Sequence, residues 1–276
     1  MAALVREDYQ GCCVKPIALS DGEKELDELY AALVQKIYNG ELVSGIDAPT
    51  AVDAAKGFMK GVTEGFGKGF DKIDYDTPDH EMLRHLEQNV YRFSAAKNWQ
   101  MNKTLNELLR DGDKVRPYAE FKKMATQVVD EWKNVWGKTE YDLAVSSSTM
   151  AGHWVRFEAN KKQMPLLRYS TVHDSRVREA HRILDGTVRP VDDSFWKEYY
   201  PPNGWNCRCT VLQLADGTET PDADLETPDI PDMFRVNLAK EKLVYPNGSS
   251  YYIGAPSKEL KRFVKQHAPD RSKTED

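Results

Sequence analysis

The chain has 276 residues, 40% of them apolar, which is enough for one sizeable core or two small ones, and its net charge of −6 argues against bulk nucleic-acid binding. No segment reaches the roughly 20 uninterrupted apolar residues of a membrane span, and the opening "MAALVREDYQGCC" lacks the basic start and apolar stretch of a secretory signal. The four cysteines fall as an adjacent pair, Cys12 and Cys13, and a pair one residue apart, Cys207 and Cys209, spacings that suit a reducing cytosol better than a disulfide scaffold.

In chain order, "DGEKELDELYAALVQKIYNG" sets Leu26, Leu29, Tyr30, Leu33 and Ile37 at helical spacing, with Ser20 or Asp21 as a cap and Gly40 as a stop. Next, "KGFMKGVTEGFGKGF" carries Gly57, Gly61, Gly65 and Gly69 at every fourth position. No Gly-Lys-Ser or Gly-Lys-Thr follows, so a helix with a glycine stripe or a flexible hinge is expected rather than a phosphate loop. The pattern Phe121, Met124, Val128, Val129, Trp132, Val135 and Trp136 predicts a further helix. Thr139 opens another, whose face of Tyr141, Ala144, Val145, Ser148 and Gly152 is small enough for close packing.

Near Pro165 the character changes. "LLRYSTVHD" reads as a strand, "DSRVREAHRIL" as a short helix, "GTVRPVDDSFWKEYYPPNGWN" as a loop, and "CRCTVLQL" as a second strand. From Asp216 to Asp232 there are seven acids, three prolines and no base, which predicts an extended linker unable to fold alone. The expected organisation is therefore α+β: a helical N-terminal region (1–130), a small mixed module (131–215), an acidic linker (216–232) and a C-terminal tail (233–276).

The chemistry-bearing residues gather in the module. Side chains two apart on a strand share a face, so Cys207 and Cys209 point one way and Arg208 the other. Two thiols supply half of a zinc shell, with His173, Asp174, His181, Asp192 and Asp193 as nearby candidates for the rest. On a straight helix Asp174 and His181 would lie about 10.5 Å apart, so at most one of them can join the thiols. The plainer reading is two half-buried thiols on a core strand. Asp174, Arg178 and His181, at i, i+4 and i+7, predict one helical face on which Asp174 pairs with Arg178, either as a catalytic cluster or as a buried polar network. No serine elbow, metalloprotease His-Glu pair, Walker loop or zinc-deaminase signature accompanies them. Trp196, Tyr199, Tyr200 and Trp205 most simply cover a small core.

Residues 168–214 carry a dense, ordered set: Arg168, Tyr169, Asp174, Val177, Arg178, His181, Leu184, Asp185, Gly186, Asp193, Phe195, Trp196, Pro201, Pro202, Gly204, Cys207, Arg208 and Cys209. This set resembles the phage Mu protein F family of minor head, or head morphogenesis, proteins of tailed phages. The segments "TEYDLAVSSSTMAGHWVRFE" and "NVYRFSAAKNWQMNKTLNELL" resemble the regions that precede that core.

The resemblance implies a virion component associated with the portal protein and other head proteins. It would be taken into the prohead in the host cytoplasm, with effects on packaged or ejected DNA, and would need no cofactor. Two other readings come from the residues. One is a metal-dependent hydrolase or nuclease using the Asp, His and Cys cluster, with zinc on His181, Cys207 and Cys209. The other is DNA binding through Arg168, Arg176, Arg178, Arg182 and Arg189, weakened by the interleaved acids. The expectation carried forward is a non-enzymatic head protein with architectural thiols.

Overall fold

The computed structural model describes residues 22–272. Helix α1 (Gly22–Tyr38) turns Leu33, Val34 and Ile37 into the core. The proposed cap at Ser20 or Asp21 lies outside the described residues, as do Cys12 and Cys13. Helix α2 (Ala48–Phe66) begins at Asp47, whose carboxylate accepts from Thr50 N at 3.2 Å, and ends on Gly67, which is left-handed at φ 84°. Gly57, Gly61 and Gly65 all lie inside α2, so the spacing is a stripe on a helix and not a hinge.

Helix α3 (Pro78–Leu108) is the spine of the fold, 31 residues long. A ladder of amides on its surface ties down the loop before α2. Asn98 accepts from Asp47 N at 2.7 Å, Asn102 donates to Gly45 O at 3.0 Å, and Asn106 donates to Leu42 O at 3.1 Å. The i, i+4, i+8 spacing puts all three amides on one face. A tight hairpin, β1 (Arg110–Asp111) and β2 (Lys114–Val115), turns on Gly112 at φ 58°.

Helix α4 (Tyr118–Asp130) does not stop before the next one. It runs through a π-helical stretch, Glu131–Trp136, directly into α5 (Gly137–Asn160). Thr139 therefore opens no new helix. The widened turn points both Trp132 and Trp136 inward, their rings 4.7 Å apart, and leaves Val135 exposed. The small face of α5 receives the glycine stripe of α2. A Cβ at Gly65 would stand 2.1 Å from Val145 O, and one at Gly61 would stand 3.1 Å from the Tyr141 ring. Phe66 fills the space left by Gly152.

The module is a three-stranded antiparallel sheet with β3 (Leu166–Ser170) in the centre. Helix α6 (Glu179–Arg182) follows β3, then β4 (Val188–Pro190), helix α7 (Phe195–Tyr199) and β5 (Thr210–Leu214). Leu167 pairs with Arg189 on one side and Gln213 on the other. The sheet leans on α5: Tyr200 Oη donates to Met150 O at 2.9 Å, and Gln213 Nε2 reaches Phe157 O at 2.9 Å. The loop expected between residues 186 and 206 thus contains a strand and a short helix. The second strand begins at Thr210 rather than Cys207.

The acidic segment is extended but anchored. Thr220 exchanges hydrogen bonds with Val188, at 3.0 Å each way, and Ile230 is buried. Beyond it the chain returns to α3. Asn89 accepts from Val244 N and Tyr245 N at 2.9 and 2.8 Å, Tyr245 stacks on Phe93 at 3.7 Å, and Gln100 donates to Tyr251 O and Ile253 O. Helix α8 (Ser257–His267) then packs Leu260 and Phe263 inward. The architecture is α+β, with a helical N-terminal half as the periodicity predicts. No helix among the described residues is long and apolar enough to cross a membrane.

Candidate functional site

The motif residues converge below the central strand. Tyr169 is fully buried, and its hydroxyl donates to Asn203 Oδ1 at 3.0 Å. Gly186, left-handed at φ 81°, returns its amide to Tyr169 O at 3.0 Å, so glycine is needed at the corner between α6 and β4. Asp185 accepts from Thr171 N at 2.7 Å and contacts His173 Nε2 at 2.8 Å. Burial works to raise its carboxyl, but these bonds outweigh it and hold the group below the usual carboxylate range. Asp193 takes the Arg189 guanidinium at 2.6 and 3.0 Å and caps α7 by accepting from Phe195 N at 2.7 Å. Trp196 is buried against that corner, its indole directed at Arg189 O. Arg168 stands exposed on the opposite face of β3.

The segment after the cis Pro201–Pro202 bond carries the thiols. Gly204 allows close approach, since a Cβ there would meet Arg178 Nη1 at 3.4 Å and His181 Nε2 at 3.9 Å. The chain turns through Cys207 N to Gly204 O at 3.2 Å, with Asn206 left-handed at φ 57°. Cys207 and Cys209 then face inward and Arg208 outward, as alternation predicts. Both sulfurs lie 3.6 Å from the same atom, Nδ1 of buried His181. Among the described residues this is the one group of three metal-ligating side chains whose ligand atoms all meet, within 4.8 Å of one another.

The helical pairing of Asp174 with Arg178 does not form. Residues 174–178 make a turn, and only 179–182 are helical. Asp174 instead binds Arg208 through two hydrogen bonds of 2.7 and 2.8 Å and accepts from Arg176 N at 3.0 Å. The Arg208 guanidinium holds its carboxyl far below the usual range. Arg178 donates to Trp205 O at 2.7 Å and pins the turn from outside. Asp192 points away to Lys161 at 3.0 Å. Of the candidate partners for the thiols, only His181 reaches them.

The hydrogen bond from Cys209, and after it His181, draws the Cys207 thiol well below the usual thiol range, and the same bond pushes Cys209 up. A void of about 20 Å³ beside the sulfurs is lined by Arg176, Arg178 and Arg208. One residue escaped the sequence reading: Asn203, fully buried, whose amide donates to Glu198 O and Tyr200 O at 3.4 Å each while its oxygen takes Tyr169. Its signal was an amide set in a rigid turn between Pro202 and Gly204, from which it bonds back to carbonyls at 198 and 200.

A small antiparallel sheet carrying a buried Cys-x-Cys and histidine cluster, docked on a long helix, defines the class of module. Residues 100–212 match the family model described as Phage Mu protein F like protein. The chain is 38% identical over 77 residues to protein F of Escherichia phage Mu, named for capsid assembly, a match covering 28% of this chain and 18% of that protein. It is 39% identical over 66 residues to the Mu-like prophage FluMu F protein of Haemophilus influenzae, covering 24% and 16%. It is also 28% identical over 150 residues to an uncharacterized protein of Methanocaldococcus jannaschii, covering 54% and 22%. Each match spans less than a quarter of the relative's length. No solved structure matches the chain.

Proposed function

We propose that the chain acts in the assembly of a phage or prophage head, as a minor head protein at the portal vertex that enters the prohead with its portal partner. The observation that carries this reading is where the likeness falls: the matched region, 100–212, takes in the end of α3, α5 and the whole of the motif cluster, and a relative it resembles is named for capsid assembly. The role is one of binding rather than catalysis, exercised in the host cytoplasm during assembly and then in the virion. Co-expression with the cognate portal and major head proteins tests it. The chain should sediment with proheads, and proheads that form at normal yield without it would refute the reading.

A metal-dependent hydrolase or nuclease is the second reading, favoured by the convergence of His181, Cys207 and Cys209 beside a void rimmed with arginines. Asp174 is a poor general base for it, because Arg208 already occupies both carboxylate oxygens. Direct DNA contact is a weaker part of the proposal, since Arg176, Arg182 and Arg189 each face an acid of the chain: Asp174, Glu179, and Asp193 with Asp222. Phosphate binding by the remaining arginines would fall steeply with salt, and affinity that is flat in salt would remove it.

A further inference from the structure

We infer that His181, Cys207 and Cys209 form a zinc site, with two thiolates and one imidazole as protein ligands and a fourth position taken by water. The inference stands apart from the assembly role and concerns what closes the module.

The first ground is distance. A tetrahedral zinc with Zn–S of about 2.3 Å and Zn–N of about 2.0–2.1 Å holds each sulfur about 3.5–3.6 Å from the ligating nitrogen. Both sulfurs here lie 3.6 Å from His181 Nδ1. The second ground is hydrogen-bond arithmetic. A neutral imidazole Nδ1 serves one partner, as donor or as acceptor, so the two buried thiols aimed at it, which also hydrogen-bond to each other, cannot both be its partner at once. A cation at the point where the three atoms converge serves both. A disulfide is the other way to satisfy the pair, but both cysteines are free.

The third ground is that the surroundings hold the ligands in place. Arg208 is locked outward on Asp174, which fixes its two neighbours inward. Arg178, bonded to Trp205 O, ties the start of α6 to the turn that delivers Cys207. His181 N donates to Arg178 O at 3.0 Å, so the imidazole is set by the same anchor. Positioning partners of this kind are what ordered metal sites use to orient their ligands.

The fourth ground is the void of about 20 Å³ on the open side of the cluster, enough for one water. Its rim of Arg176, Arg178 and Arg208 favours an oxygen donor with negative character there. Binding balances simply: zinc enters, the two S–H protons leave to solvent, and His181 keeps its single proton on Nε2. The two thiolate charges cancel that of the ion.

Cobalt titration of the full chain tests this. Cys12 and Cys13 are replaced by Ser, so that Cys207 and Cys209 are the sole thiols, and metal is first removed with chelator. About one equivalent of cobalt should give the intense visible bands of a tetrahedral ion together with thiolate-to-cobalt charge transfer, and zinc should displace both. Chain purified without chelator should carry about one equivalent of zinc. A folded chain with both thiols reduced that develops no charge-transfer band at millimolar cobalt overturns the inference. In a His181→Asn chain the cobalt affinity should fall by at least about tenfold; retention of full affinity in that variant overturns the assigned ligand set.

Discussion

Arg208 and Asp174 are 34 positions apart and meet through two parallel hydrogen bonds of 2.7 and 2.8 Å, on the outside of the turn whose inner side presents Cys207 and Cys209. The pair therefore acts on the thiols without touching them: it sets which way residue 208 faces, and alternation does the rest.

The pair should announce itself in pH dependence. The Asp174 carboxyl is depressed by Arg208, so its contribution to stability is present above the unfolded carboxylate pKa of about 3.9 and fades as pH falls through the lower folded value. Asp174→Asn should melt below the wild type at neutral pH, and the gap should narrow as the solution is taken below about pH 4. Melting curves at a series of pH values check this. A gap that stays constant into strong acid would mean that the ion pair is not its source.

Two glycine substitutions in one helix should move stability in opposite directions. Gly65→Ala drives a methyl group into the Val145 carbonyl, 2.1 Å from the built Cβ, and should cost about 1–3 kcal/mol or more, because backbone cannot step aside. Gly57→Ala meets nothing within 4 Å and should gain about 0.5–1 kcal/mol from helix propensity. Denaturant unfolding of the two variants reads both signs, and a neutral Gly65→Ala would refute the close crossing of α2 and α5.

The centre of the helical half holds a buried ion pair, Lys97 with Glu140, the latter also accepting from Tyr251 Oη at 2.7 Å. Burial raises the Glu140 carboxyl, with Lys97 and Tyr251 opposing the rise. Removing the cation by Lys97→Met should cost about 3–5 kcal/mol at neutral pH, since a buried carboxylate is left uncompensated. The loss should shrink as pH is lowered toward the unfolded carboxylate value of about 4.3, because Glu140, held above it by burial, accepts a proton before the unfolded chain does. The double variant Lys97→Met with Glu140→Met should recover part of the loss, and a double variant worse than the single would contradict this account.

Asn89→Ala removes the acceptor of two backbone amides, Val244 N and Tyr245 N, and the donor to Tyr245 O. About 1–3 kcal/mol should be lost. Hydrogen exchange should accelerate over residues 244–253 before it does in α3. Uniform acceleration across the chain would instead show that this segment and the spine open as one unit.

Much of this was readable in the sequence where physical causes are local. The stripe of Gly61 and Gly65 and the small face of Ala144, Val145 and Gly152 were each visible, because helical spacing is a property of neighbours. That they pack on each other was not. The inward facing of Cys207 and Cys209 matches the alternation expected, although the strand itself begins only at Thr210, and His181 was one candidate among five. The Asp174–Arg178 pair failed because the spacing rule presumes a helix that residues 174–178 do not form, and a guanidinium from another element competes better for that carboxylate. Residues 233–276 were read only as a tail. Leu260 and Phe263, at helical i, i+3 spacing in α8, carried a local pattern that this reading passed over, whereas Tyr245 and Tyr251 belong to no helix or strand period and fit sites on α3 and its neighbours, a complementarity that leaves no trace in local pattern.

The return of the chain to α3 also has a consequence in time. Asn89 and Tyr245 are 156 positions apart, so on a ribosome adding about 5–20 residues per second the spine is made roughly 8–30 s before the segment that covers it. Throughout that interval the Phe93 face has no ring to stack on and Asn89 no backbone to hold. The nascent chain thus presents one long, half-finished helix to the cell, and its most vulnerable moment comes during synthesis, before the closing segment has been made.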